Sequence, residues 1–224
     1  MIVFLTHRRL KTGRYAEFRE AWEPEGMKDE EVVPDSPARI VHARAVADPD
    51  EVVSFGIAGF GPADMEAMRA EMGGEEAERR RQERMARFVE STGVDAPFEV
   101  IEQVDLNGGA RDHAGILFLT HRRLRPGTFD RFRHAWLSKA DARRMEESGL
   151  RETAYHARSL KDPDEIVSFG LAELGRDELE SFRGELADSE AGRQRRMAEF
   201  VEWTGVDAVF EVVEHIRPRQ RTPA

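Results

Sequence analysis

The chain opens on IVFLTHRRL, residues 2–10, where apolar side chains occupy both parities through Leu5, the pattern of a strand covered on both faces. Gly13 interrupts it, and Tyr15, Phe18 and Trp22 then recur at the spacing of one helical stripe. The segment ARIVHARAVA, a turn over Asp48, Pro49, Asp50 and Glu51, and then VVSFGIAGF read as a hairpin, because proline after aspartate presets a type I turn. A long polar segment follows as a second helix, with Met85, Phe88 and Val89 as its inner stripe and Gly93 as a left-handed cap. APFEVIEQV closes the series as a last strand. The order β-α-β-β-α-β is the split βαβ arrangement.

The same series then runs again. Residues 2–22 align without a gap with residues 116–136, where Phe129, Phe132 and Trp136 form the stripe. HARAVADPDEVVSFG from His42 matches HARSLKDPDEIVSFG from His156, and after a two-residue contraction RMARFVESTGVDAPFEVIEQV from Arg84 matches RMAEFVEWTGVDAVFEVVEHI from Arg196. The predicted organisation is a first repeat over 1–106, a glycine-bearing flexible linker over 107–115, a second repeat over 116–217 and a frayed tail over 218–224. Two helices cover one face of a four-stranded sheet, so one repeat alone leaves an apolar face exposed, and two repeats packed sheet to sheet remove it.

With its FLTHRRLKTG opening, its aromatic first helix and this element order over both halves, the chain resembles the dimeric α/β-barrel proteins, the superfamily that includes antibiotic biosynthesis monooxygenases. The resemblance implies an α+β fold of two ferredoxin-like repeats forming within one chain the barrel that two subunits otherwise share. It also implies an oxygenase chemistry on quinol-like molecules, with no metal or flavin cofactor.

Composition narrows the partners. The 224 residues carry 34 basic against 44 acidic side chains, a net charge of −10 that repels phosphate backbones and anionic lipid, so neither nucleic acid nor membrane is expected. No cysteine is present, which excludes disulfides, thiolate metal sites and a cysteine nucleophile. The opening apolar run is too short for a signal peptide and no stretch reaches membrane-spanning length, the pattern of a cytoplasmic protein. The arginines of EEAERRRQERMARF are interleaved with glutamates and read as a solvated, salt-bridged face.

The candidate chemistry lies on the strands. Alternation puts His7 and Arg9 on one face of the first strand, opposite Leu10, which packs under the helix; His42 and Arg44 share a face of the second strand, and Ser54, Gly56 and Ala58 form a small face of the third. The second repeat has His121, Arg123, His156, Arg158, Ser168, Gly170 and Ala172 at the matching places. If the small face turns inward with the histidines, each half holds a cavity with imidazoles as bases and arginines as anion holders for a small acidic or phenolic ligand. The same residues also satisfy a purely structural account, with Arg9 and Arg44 paired to Glu99 or Glu102 and Trp22 and Trp136 in the core. His7, His42 and Glu102 are metal-ligand types, but without an HExxH-like spacing no metal is expected. Three functions are compatible with the pattern: a cofactor-independent monooxygenase-like enzyme, a non-catalytic binding module for a small acidic ligand, and a structural protein. A pocket of roughly 300 Å³ or more would favour the first two. The acidic segment 23–37 reads as a loop able to act as a lid, its counterpart 137–151 as more helical. A monomeric barrel suffices, and exposed edge strands would permit a further homodimer.

Overall fold

The computed structural model describes residues 1–23, 39–65, 74–110 and 114–216. The 23–37 segment, apart from Glu23, and the tail from 218 lie outside the described residues. The first repeat contains β1 (Ile2–Leu10), α1 (Tyr15–Trp22), β2 (Arg39–Ala45), β3 (Glu51–Ala58), α2 (Gly74–Ala86) and β4 (Val89–Leu106). The second contains β5 (Ile116–Leu124), α3 (Phe129–Trp136), α4 (Lys139–Ser148), β6 (Glu152–Ser159), β7 (Glu165–Ala172), α5 (Arg176–Ala198) and β8 (Val201–Ile216). The eight strands hydrogen-bond in the order β1-β3-β2-β8-β5-β7-β6-β4 and close into an α+β barrel. Closure leaves none of these strands as a free edge, so the edge pairing envisaged from sequence has no site on them.

The compact units do not end where the repeats end. One unit is Met1–Glu99 with Val213–Ala224, the other is Val100–Val212. The cause is the length of the last strands. β4 has 18 residues and β8 has 16, and each runs on past its own repeat's unit. The first unit therefore takes the end of β8 beside β2, and the second takes the end of β4 beside β6.

In the first unit, Leu10 of β1 and Val52 of β3 pack with Phe18 and Trp22 of α1 and Met85 of α2, joined at the margin by Tyr15, Ile40 and Ile216. In the second, Leu124, Ile166, Phe132 and Met197 form the same cluster. The opposite sheet face is equally apolar: Val3, Leu5, Val41, Val53 and Phe55 are each no more than 2% exposed. Phe18→Ala should therefore cost roughly 3–5 kcal/mol, read as a lowered urea midpoint at unchanged slope. The turns repeat as the sequence implied: Glu51 N–H donates to the Asp48 carbonyl at 3.0 Å, and Glu165 N–H to that of Asp162 at 3.1 Å. The polar helix α2 has the expected charged face, with Arg79 bridging Glu76 and Glu83, and Arg81 pairing with Glu78.

Two expectations need correction. α2 stops at Ala86, so Val89 is not on its stripe; it starts β4, seven residues earlier than the APFEVIEQV segment suggested. Gly93 is no helix cap. It lies within β4 as an unmatched bulge residue between Val94, opposite His7, and Thr92, opposite Arg8. In the described part of the predicted linker, Asn107, in a left-handed conformation with φ 51°, donates its side-chain amide to the carbonyls of Met145 and Leu150, and Ala110 N–H donates to Thr153 Oγ1. α4, by contrast, fulfils the helical reading of the second repeat's connection, capped by Ser138 and Asp141 and closed by Gly149 at φ 71°.

Candidate functional site

Register assigns the faces. Thr6 pairs with Ser54 and Ser54 with His42, so these three lie on one side of the sheet, with Leu10, Val52 and the helices. His7 pairs with Val53 and lies on the other. The small face of β3 thus turns toward the helices, and it carries His42 but not His7. The sequence expectation that both histidines share one cavity is not met.

His42 is 1% exposed. Its Nδ1 is 2.7 Å from Ser54 Oγ and its ring meets Trp22 edge-on, 4.3 Å between centroids. Nε2 is buried and has no hydrogen-bond partner among the described residues. Next to this ring Arg19 of α1 donates to both carboxylate oxygens of Glu214, at 2.5 and 2.8 Å, and its guanidinium lies 5.3 Å from the centre of Trp22. Burial, reinforced by Arg19, lowers the His42 pKa to about 4, so the ring is neutral at pH 7.

The second unit repeats the arrangement. His156 Nδ1 is 2.7 Å from Ser168 Oγ, Trp136 stands edge-on at 4.4 Å, and Phe129 and Phe132 approach at 6.2 and 6.3 Å. Its Nε2, also without a hydrogen bond, lies 4.0 Å from Glu102, which Arg133 of α3 engages. Burial again lowers the pKa to about 4. The glutamates were missed as partners of these sites because each comes from the last strand of the other repeat. EVIE and EVVE mark their positions in the sequence, but nothing local says which arginine they meet.

The remaining candidates sit apart. His7 Nε2 is 2.6 Å from Glu51 Oε1, and His121 Nε2 is 2.7 Å from Glu165 Oε1. Arg9 pairs with Asp48 at 2.8 Å and reaches Glu90 at 3.6 Å; Arg123 pairs with Asp162 and Glu202 at 2.9 and 3.1 Å. Arg44 donates to the Pro49 carbonyl and stacks 4.7 Å from the Tyr15 ring, while Arg158 lies 5.0 Å from Phe129. Neither Arg9 nor Arg44 takes Glu99 or Glu102 as the structural account of the sequence supposed. Gly93 accounts for the placement of His7, since a Cβ there would lie 2.6 Å from Nδ1. Gly93→Ala is expected to displace the ring from Glu51 and cost about 1–3 kcal/mol, measured as a fall in Tm.

Two side chains that pattern reading passed over are Arg8 and Arg122, each 3% exposed despite its charge. They donate to Asp95 and Asp207 at 2.6 and 2.7 Å. Arg8 lines a hollow of about 250 Å³ with Gln82, Met85 and Thr92; Arg122 lines one of about 260 Å³ with Gln194, Met197 and Thr204. None of the histidines borders either hollow, and neither hollow reaches the roughly 300 Å³ set from sequence as the mark of a ligand-handling cavity.

No protein-family profile and no curated protein matches the chain by sequence. Solved structures do match in shape. An anthrone oxidase-like protein superimposes with a TM-score of 0.66 at 15% identity, over 96% of this chain and 92% of that one. A protein of Fusobacterium nucleatum subsp. nucleatum described as a "putative monooxygenase" gives 0.61 at 12% identity, over 96% and 94% of the two chains. A protein of Lactobacillus acidophilus described in the same words gives 0.55 at 12% identity, over 95% and 92%. Together with the closed strand order, these likenesses fix the fold as that of the dimeric α/β-barrel proteins, with both ferredoxin-like halves supplied by one chain.

Proposed function

We propose that this protein is an oxygen-consuming, monooxygenase-like enzyme that oxidises a small phenolic or quinol-type aromatic without metal or flavin, using His42 and His156 as bases. One observation carries the reading: each unit holds a neutral, buried imidazole whose Nε2 makes no hydrogen bond, beside a carboxylate–arginine pair. In the tautomer assigned here, Nδ1–H donates to the serine hydroxyl and the Nε2 lone pair is free to accept a proton. The nearby carboxylate, Glu214 or Glu102, then stabilises the imidazolium. Ser54 and Ser168 fix the ring, and Arg44 and Arg158, one alternation further along the same strand faces, are the anion-holding groups. His7, His121, Arg9 and Arg123 lie on the opposite face with carboxylate partners and are not assigned to this step.

The reaction balances with dioxygen as the only co-reactant. Loss of the phenolic proton to Nε2 gives an electron-rich phenolate, which transfers electrons to O2 and forms a C–O bond at the para carbon. The O–O bond of the resulting hydroperoxide breaks as the carbon loses its hydrogen, leaving a quinone with one new oxygen while the second leaves as water. That the neighbours in shape are described as monooxygenases and as an anthrone oxidase-like protein supports the class. Oxygen uptake with a dihydroxynaphthalene should fall at least about 100-fold in the His42→Ala/His156→Ala variant. Uptake unchanged in a folded double variant overturns the assignment; binding without any uptake makes the protein a binding module.

A further inference from the structure

Arg8 and Arg122 are each 3% exposed, and the histidine chemistry uses neither. Taking a guanidinium out of water is repaid only when its remaining N–H groups also find acceptors. Here part of that capacity is unspent. Nη2 of Arg8 donates to Asp95 at 2.6 Å and to Gln82 Oε1 at 3.3 Å, and Nη2 of Arg122 donates to Asp207 at 2.7 Å and to Gln194 Oε1 at 3.5 Å. Nε and Nη1 of both arginines make no hydrogen bond among the described residues, yet they are not sealed from solvent, and the space beside them is the hollow that each arginine lines. The guanidinium planes are held from behind: Gln82 donates from Nε2 to Glu78 at 2.6 Å, and Gln194 from Nε2 to Glu190 at 2.7 Å. Across each hollow the last strand is bulged twice. Glu90 and Gly93 are unmatched on either side of Ser91 and Thr92, as Glu202 and Gly205 are around Trp203 and Thr204. Bulges re-aim the side chains beside them, and the hollows lie along the stretches they bracket.

We propose that each hollow binds a small neutral molecule by its carbonyl oxygen, which accepts from Nε and Nη1 of Arg8 or Arg122 while its apolar body rests on Met85 and Val89, or on Met197 and Val201. The site is separate from the one built around His42 and His156 and needs no chemistry. The hollows fall short of a drug-sized pocket, but a cavity of about 150 Å³ already takes benzene, so a hollow of about 250 Å³ admits roughly ten non-hydrogen atoms. Charge balance selects a neutral ligand over an anion. Around the first hollow Arg8 faces Asp95, Arg81 faces Glu78 and Arg9 reaches Glu90; around the second Arg122 faces Asp207, Arg193 faces Glu190 and Arg123 reaches Glu202. A carboxylate or phosphate would either displace the resident aspartate or add an unbalanced charge beside Glu90 or Glu202, which line the hollows. A carbonyl oxygen adds no charge and still fills the open positions on the guanidinium. Amides, ketones and lactones of this size are the ligand class.

The test is titration of the nitrogen-15-labelled full chain with benzamide, followed by NMR at the Nε–H resonances of Arg8 and Arg122. Both resonances should move along saturating curves in the millimolar range expected of so small a ligand. Benzoate, of the same shape but anionic, should bind at least about tenfold more weakly. Ala86, exposed at the end of α2, lines the first hollow, and Ala198 lines the second. Ala86→Phe should weaken the response at Arg8 at least about tenfold by filling its hollow, and leave that at Arg122 within about twofold. Ala198→Phe should do the converse, so in each variant the untouched hollow reports that the chain is folded. Resonances that stay in place with millimolar benzamide would mean that the hollows hold water alone, and the proposal falls. Benzoate binding as tightly as benzamide would make them anion sites and overturn the ligand class. An Ala86→Phe protein with a native response at Arg8 would put the binding elsewhere and overturn the site.

Discussion

Acidification from pH 6.5 to 4 should unfold this protein far more readily than its charge balance suggests, and His42 and His156 should be the reason. Both are folded with pKa values near 4, whereas an imidazole in the unfolded chain titrates near 6.5. Inside that window the unfolded state binds protons that the folded state refuses. The stabilising contribution is complete above pH 6.5 and is lost as the pH falls toward 4. At face value the shift amounts to about 3 kcal/mol for each imidazole. Urea midpoints should drop by more than about 1 M across the window, and the His42→Asn/His156→Asn variant should lose most of that dependence. Glu152 acts in the opposite sense. Burial raises its folded pKa to about 7, above that of a free carboxyl, so its contribution is present at low pH and lost as the pH rises through 7. Glu152→Gln should accordingly steepen the acid loss. Parallel pH profiles for native protein and double histidine variant would show that the imidazoles are not the groups involved.

The second large effect concerns the division of the chain. A fragment of residues 1–106 contains all of β1 to β3 but lacks Val213–Ile216, the part of β8 that belongs to this unit, including Glu214 and the core-packed Ile216. It keeps, unpartnered, the end of β4 that belongs to the other unit. Since EVIEQV of one repeat aligns with EVVEHI of the other, a second copy of the fragment can supply what β8 supplies in the intact chain. The fragment should therefore sediment as a two-chain species with exchanged last strands, and Glu102→Arg should weaken it by opposing Arg19. A well-dispersed, stable monomer of the fragment would mean that the unit completes itself without the borrowed strand.

Element order was legible because duplication displayed every periodicity twice and because each tight turn carried its own chemistry, as Asp48-Pro49 and Asp162-Pro163 do. Facing was less legible. Alternation assigns residues of one strand to two sides but does not say which side meets the helices, and only pairing does so: Ser54 opposite both Thr6 and His42 separates the latter from His7. Gly93 misled because a glycine after a helix reads as a cap, while its actual task is to admit an imidazole from the neighbouring strand. The arginine–glutamate pairs beside the histidines were illegible for another reason. Arg19 and Glu214 are separated by nearly the whole chain, and periodicity within a window carries no information at that range.

The borrowed strands also set a timetable for biogenesis. The first-made unit cannot be completed until residues 213–216 leave the ribosome, on the order of ten seconds after its own last residue has been added. For that interval the β2 side of a nascent sheet is open, and any chaperone that shields it has a defined segment to cover and a defined moment to let go.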